Sequence, residues 1–126
     1  MKQAITTSQA PAASGTYSQA ISTGQTLYVS GQIPLDPDSM EMVGDDIRDQ
    51  INQVLDNLTA ILEAAGSGID NVLKFTVFLT DLDHFPRVNE IMAERLSEPY
   101  PARVVIEVSA LPKGAKVEID AIATLT

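Results

Sequence analysis

Two segments of this 126-residue chain have the periodicity of a helix. Between Asp45 and Ala65 the apolar residues recur at steps of three and four, and Gly66 follows as a stop signal, so this segment is predicted to form one long amphipathic helix. His84–Ser97 has a shorter stripe of the same kind, with Pro86 in the first turn, where a missing N–H costs little. Because two helices cover one face of a sheet, any sheet in this chain has a second face without a helix of its own.

The other apolar segments are rich in β-branched and aromatic residues, which favours strands. A lead-in over residues 1–16 holds one short strand, and the principal strand segments are 17–22, 26–30, 72–80, 103–108 and 116–124. The predicted order is β-β-α-β-α-β-β in a single domain spanning residues 1–126. This order predicts an α+β fold in which a mixed sheet carries two helices on one face.

The second face of the predicted sheet is itself apolar. In the strand at 72–80, Phe75, Val77 and Leu79 alternate with Thr76 and Phe78, so both sides of the strand carry side chains that favour burial. Since no third helix is available, self-association through the uncovered face is the economical solution.

Composition excludes several classes of function. Eight basic and seventeen acidic residues give a net charge of −9, which repels nucleic-acid phosphates and anionic membrane surfaces. There is no Cys and His84 is the only His, so a Cys-based zinc site and a His cluster are excluded; no acidic spacing resembles a calcium loop, which leaves only a metal held by carboxylates open. The N-terminus lacks an apolar signal region, and no apolar run is long enough to span a membrane, which predicts a cytoplasmic protein.

Two charges stand in strands that are otherwise apolar. Arg103 begins one strand and Glu118 lies inside the next. A guanidinium is a two-pronged anchor for a carboxylate, and a half-buried Glu is a candidate base. If the two shared a cleft, they would hold a small anionic substrate beside an activated water. From the pattern alone, however, a surface ion pair and a solvated Glu are the more common situations.

Strand alternation bears on where Glu118 points. Val117, Ile119 and Ala121 form a small apolar set that suits contact with the helices, and Glu118 and Asp120 lie on the other side. Glu118 is therefore predicted to face the uncovered side of the sheet, where subunits would meet.

Several segments, in order and at matching spacing, resemble the reactive intermediate deaminase family (RidA/YjgF), whose members are trimers with a chorismate-mutase-like fold. They are residues 10–20 (APAASGTYSQA), 29–34 (VSGQIP), 62–66 (LEAAG), 74–79 (KFTVFL), 88–89 (VN), 101–103 (PAR), 107–108 (EV) and 111–113 (LPK).

The resemblance implies hydrolytic deamination of 2-imino acids, such as 2-iminopropanoate and 2-iminobutanoate, to 2-keto acids and ammonia without a metal or cofactor. It also implies a homotrimer with its sites at the subunit interfaces. It assigns the carboxylate anchor to Arg103, the orientation of water to Glu118 and a catalytic place in the site wall to Tyr17. The substrate-binding residues that it implies are Ser30, Gly31, Asn89 and Val105.

This sequence departs from the family pattern at three places. Val105 stands where many members have Cys, and Thr16 replaces the usual Pro before Tyr17. The segment from Asn89 to Pro101 is about three residues shorter than in well-known members and lacks their aromatic pattern. These three places lie next to the expected substrate pocket, so they bear on which substrate the protein prefers.

A second hypothesis is a non-catalytic regulatory trimer that binds keto acids or amino acids through Arg103. Glu118 distinguishes the two, since a binder needs the Arg but no acid beside a water. Nucleic-acid processing is a third possibility, which the net charge of −9 and the absence of a basic stripe disfavour.

Overall fold

The computed structural model describes all residues, 1–126, as one six-stranded sheet with two α-helices. The elements in chain order are β1 (Gln3–Ile5), β2 (Ala20–Thr23), β3 (Thr26–Gln32), α1 (Ile47–Ala64), β4 (Val72–Leu79), α2 (Phe85–Arg95), β5 (Ala102–Glu107) and β6 (Val117–Thr124). The spatial order of the strands is β1-β2-β3-β6-β4-β5. The β4–β5 pair is parallel and all other pairs are antiparallel, so the predicted mixed sheet of an α+β fold is confirmed.

Local chemistry sets the limits of α1. The Asp46 carboxylate accepts hydrogen bonds from the backbone N–H groups of Arg48 at 2.9 Å and Asp49 at 3.1 Å, which satisfies two donors that a helix start leaves free. Gly66 follows the helix with φ +81°, a conformation that glycine adopts without steric cost. The predicted helix at 45–65 is thus confirmed to within two residues at each end.

The central strand β6 separates the two sides of the sheet. Its residues alternate between buried and half-buried positions. Val117, Ile119 and Ala121 lie in the core with α1, which packs against β6 and β3. Glu118 and Asp120 point to the opposite side. Both helices lie on one face, and neither is long and apolar enough to cross a bilayer.

The sheet differs from the predicted order in two respects. The predicted β-β-α-β-α-β-β order omits β1, the short lead-in strand, which pairs with β2 through Gln3–Ser22 and Ile5–Ala20. The strand expected to end at Ser30 continues to Gln32, because a bulge between Val29 and Gln32 lets β3 remain paired with β6.

Buried amide side chains hold the loops that lie at the bulged end of β3. Gln19 is 3 % exposed, and its amide nitrogen donates to the carbonyl oxygen of Pro11 at 2.8 Å. Asn57 is 1 % exposed and donates to the carbonyl oxygen of Leu35 at 3.0 Å. Each amide replaces the water that a loop carbonyl would otherwise need, so both loops are fixed to the scaffold.

Candidate active site

Arg103 lies on the helix side of the sheet, at the start of the edge strand β5. It stands opposite Phe75 in the parallel β4–β5 pair, and Phe75 is fully buried beneath the helices. The guanidinium Nη1 donates to Oδ1 of Asn89 at 2.7 Å, and Cζ lies 5.1 Å from the centre of the Phe85 ring. The sulfur of Met92 is 3.8 Å from the same Nη1.

These three groups come from one face of α2. Phe85, Asn89 and Met92 follow one another at steps of four and three residues, which brings their side chains onto one face of a helix. We call them the Arg103 cradle. All three are uncharged, so they orient the guanidinium without neutralising it.

Arg103 is the one arginine of the chain without a carboxylate partner. Arg48, Arg87 and Arg95 all form ion pairs, with Glu90, Glu94 or Asp56. The charge of Arg103 is therefore free to meet an external carboxylate, in the planar geometry that two N–H donors provide.

A cavity of about 410 Å³ opens beside the guanidinium. We call it the Arg103 cavity; its walls include Phe75, Asn89, Met92, Leu96, Tyr100 and Arg103. The lining is mostly apolar with one cation, which suits a small carboxylate that carries an apolar body.

Glu118 lies on the other side of the sheet. It pairs with Phe78 of β4 and is half-buried. It lines a second cavity of about 410 Å³, the Glu118 cavity, whose walls include Tyr17, Ser30, Gly31, Met40, Lys113 and Glu118.

Gly31 makes room for the Glu118 side chain. A Cβ atom at position 31 would lie 3.0 Å from Cδ of Glu118 and would collide with Oε2. Gly31 lies in the bulged part of β3, where a strand commonly redirects its side chains. The missing side chain therefore lets the carboxyl lie directly against the backbone of β3.

Burial raises the pKa of the Glu118 carboxyl, and the neighbouring Asp120 carboxylate raises this pKa further. Both effects disfavour the ionised form, because burial removes hydration and a like charge repels. A carboxyl with such a raised pKa is better suited to accept a proton from water than an exposed one.

Tyr17 and Ser30 complete the polar part of the Glu118 cavity. Tyr17 is 52 % exposed, and its hydroxyl accepts a long hydrogen bond of 3.4 Å from the backbone N–H of Ser14. The Ser30 hydroxyl donates to the carbonyl oxygen of Ser18 at 2.5 Å. Tyr17 is thus open to a ligand, while the hydroxyl proton of Ser30 is engaged by the backbone.

The structure divides the predicted site residues into two groups. Arg103 and Asn89 lie together in the Arg103 cavity, whereas Tyr17, Ser30, Gly31 and Glu118 lie together in the Glu118 cavity. Within one chain Arg103 and Glu118 do not share a cleft, because the parallel register of β5 turns Arg103 to the helix side.

Val105 belongs to neither cavity. It pairs with Val77 on the helix side of the sheet, and its side chain packs against the core. The single acid of β5, Glu107, is occupied locally, since its carboxylate accepts a hydrogen bond from the backbone N–H of Leu82 at 3.0 Å.

The sequence interpretation missed Phe85 and Met92 of the cradle, together with Met40 and Lys113 of the Glu118 cavity. The four-and-three spacing around Asn89 was a usable signal for the first pair. Lys113 lies in the segment 111–113 that resembles the family, but no pattern marks Met40, which a loop remote in sequence brings to the cavity. No group of three or more His, Cys, Asp or Glu side chains is arranged to hold a metal ion.

Comparison with known proteins establishes the family. The sequence model of the endoribonuclease L-PSP family matches residues 7–125. A protein of Rattus norvegicus named 2-iminobutanoate/2-iminopropanoate deaminase is 47 % identical over 123 residues, 98 % of this chain and 90 % of the relative. The chain belongs to the endoribonuclease L-PSP family, which includes the RidA/YjgF proteins.

Solved structures agree with the fold. RidA from an Antarctic Psychrobacter superposes with a TM-score of 0.93 at 51 % identity, covering 97 % of this chain and 98 % of the other. TdcF of E. coli with bound serine superposes with a TM-score of 0.90 at 39 % identity, covering 98 % and 99 %. The predicted fold class is confirmed.

The contact between Gly31 and Glu118 predicts the effect of Gly31→Ala. The added methyl pushes the Glu118 carboxyl, the far end of a flexible side chain, away from β3, at a cost of about 1 kcal/mol, the low end of the range for overpacking. In an Glu118→Ala background the obstacle is gone, so the same substitution should cost much less when unfolding is followed in urea. Gly68→Ala is the control, since a Cβ there meets nothing within 4 Å. Equal costs in both backgrounds would contradict the proposed contact.

The raised pKa of Glu118 predicts how stability changes with pH. The pKa of Glu118 is higher in the folded than in the unfolded protein. At a pH between these two values the folded state binds more protons, so the contribution of Glu118 to the free energy of unfolding falls as pH rises. Glu118→Gln has no carboxyl to titrate at this position, so it does not lose this part of its stability as pH rises. Its melting temperature relative to the parent should therefore increase from pH 4 to pH 7. Glu63→Gln, at an exposed position of α1, serves as the control, and a flat difference for Glu118→Gln would refute the assignment.

Proposed function

We propose that this protein hydrolyses 2-imino acids, such as 2-iminopropanoate and 2-iminobutanoate, to 2-keto acids and ammonia. The observation that carries the proposal is the uncharged cradle of Arg103, which leaves one guanidinium without a carboxylate in a chain of net charge −9. The family membership and the deaminase name of the rat relative support the same reaction.

The reaction needs an anchor, a water and an acceptor for a proton. Arg103 binds the substrate carboxylate and so fixes the adjacent C2 carbon. Glu118 accepts a hydrogen bond from the attacking water and takes its proton as oxygen bonds to C2. The carbinolamine then loses ammonia as the C2–O double bond forms, so one imino acid and one water give one keto acid and one ammonia.

Protonation of the imine nitrogen of the substrate supplies much of the electrophilicity that the attack of water requires. A protonated imine carries its positive charge on the group that must leave, and C2 is correspondingly electrophilic. The phenol of Tyr17 lies in the same cavity as Glu118 and is the group proposed to assist proton movement at nitrogen.

One protomer cannot supply both ends of this site, because Arg103 and Glu118 lie on opposite sides of its sheet. We therefore place each site between two protomers, with Arg103 of one facing the Glu118 cavity of the next. This arrangement is head-to-tail, which gives a closed ring when the rotation between protomers closes, and the homotrimer implied by the family resemblance is the proposed assembly. The exposed Tyr28, Val104 and Ile106 on the uncovered face of the sheet supply apolar surface for it.

Two other functions make different demands on the chain. A non-catalytic keto-acid sensor would use Arg103 but would not need Glu118. An endoribonuclease, which is the description of the matched family, would need cations for phosphates. Three of the four arginines here are already paired with carboxylates. RNA incubated with the protein is accordingly expected to remain intact.

The anchor is tested by imine turnover. An amino-acid dehydratase or oxidase generates the imine, and keto-acid release is followed with and without the protein. Arg103→Ala is expected to lower kcat/KM about 30- to 5000-fold, since losing one partner of a desolvated charge pair costs about 2–5 kcal/mol. Arg87→Ala removes an arginine that pairs with Glu90 on α2 and should change little. A parent protein that does not accelerate hydrolysis would refute the enzyme and leave the sensor.

The shared site is tested by mixing two inactive variants. Arg103→Ala and Glu118→Gln protomers are unfolded together, refolded and assayed. In a ring of three, every mixed assembly contains one intact Arg103–Glu118 pair, so random assortment restores about a quarter of the parental sites. Refolding each variant alone should restore none. No recovery in sedimentation-verified mixed trimers would contradict a site between protomers.

A further inference from the structure

Two residues outside the proposed catalytic group are held in the left-handed backbone region. Met40 has φ +60° and Lys113 has φ +57°, and they are the two non-glycine residues of the chain with positive φ. Both line the Glu118 cavity. This conformation is unfavourable for side chains other than Gly, Asn and Asp and is concentrated at functional sites, so the coincidence directs attention to what the two side chains present there.

The Lys113 ammonium group forms no ion pair within the chain. All four ion pairs of the structure involve arginines, and Lys113 is exposed at the turn that precedes β6. Lys113 forms no ion pair with Glu118 either. The cation is therefore available to a ligand in the cavity.

The remaining lining residues show what such a ligand would look like. Lys113 is the only cation among the lining residues, and Ile33, Leu35 and Met40 form an apolar wall. In one protomer the cavity measures about 410 Å³, within the range of small-molecule sites. A ligand with methylene groups against the apolar wall and an anionic group at Lys113 would match this lining.

We propose that Lys113 is a second anion-binding residue of the site and that the protein prefers 2-imino acids whose side chain ends in a carboxylate. The inference rests on the proposed function: Arg103 holds the carboxylate next to the imine, and Lys113 holds the distal one. The class of reaction that supplies such a substrate is oxidation or dehydration of an acidic amino acid at its amino-bearing carbon. Met40 contacts the methylene groups between the two acids.

Binding of the keto-acid products tests Lys113 independently of catalysis. Calorimetry compares 2-oxoglutarate, which has a distal carboxylate, with 2-oxobutanoate, which has none. The parent protein should bind 2-oxoglutarate at least tenfold more tightly. Lys113→Met keeps the length of the side chain, and Lys113→Asn tolerates the left-handed backbone; both should remove this preference without weakening 2-oxobutanoate. Lys113→Arg should keep it, and Lys2→Met, outside the cavity, should leave it unchanged.

The outcomes separate this inference from the proposed function. A Lys113-dependent preference for 2-oxoglutarate without imine turnover refutes the enzyme but keeps the second anion site. Turnover of 2-iminopropanoate with no preference for a dicarboxylate, in binding or in rate, overturns the role of Lys113. The same holds for a parent protein that binds neither keto acid. Equal weakening of both ligands, accompanied by loss of the assembly in sedimentation, would show that Lys113 contacts a neighbouring protomer instead.

Discussion

The alternation of side chains along β6 is the constraint on which the rest of the molecule depends. Val117 and Ile119 are fully buried under the helices, so Glu118 between them must point the other way. A one-residue slip of the strand would bury a carboxyl in the core and expose the apolar residues, which fixes the register. Since β6 lies between β3 and β4, the same register also decides which residues of both neighbours share a side with Glu118.

Sequence periodicity was sufficient to predict the helices and the main strands, and to predict the side of the sheet on which Glu118 lies. The helix at 45–65 followed from a single apolar stripe, and the side of Glu118 followed from the small apolar residues that flank it. The side of Arg103 could not be predicted in the same way, because Val104 and Val105 make both sides of β5 apolar. It was settled by the parallel pairing of β5 with β4, a contact between strands that α2 separates in sequence. The bulge that brings Gly31 against Glu118 was equally absent from the pattern.

Different kinds of structure build the two halves of the proposed site. Arg103 and its cradle lie on a strand and a helix, whose geometry is rigid. The Glu118 cavity has β3 and β6 on one side and, on the other, loops that buried amides, among them Gln19 and Asn57, attach to the scaffold. Loops tolerate substitution better than helices and strands, so the loop half is the part in which related proteins can change substrate while the carboxylate anchor stays the same.

The attachment of α2 to α1 determines how ionic strength acts on the anchor. Exposed ion pairs, such as those of Arg48 and Arg95, join the two helices, and each is worth about 0–1 kcal/mol. Burial of Val88, Ile91 and Met92 contributes about 1.5–3 kcal/mol for each side chain. The apolar contacts between α1 and α2 therefore contribute more than the ion pairs. Salt at about 0.1 M, where the Debye length is about 10 Å, weakens the ion pairs but leaves the Arg103 cradle in place. Salt would then weaken the attraction of Arg103 for an anion while the shape of its cavity is preserved.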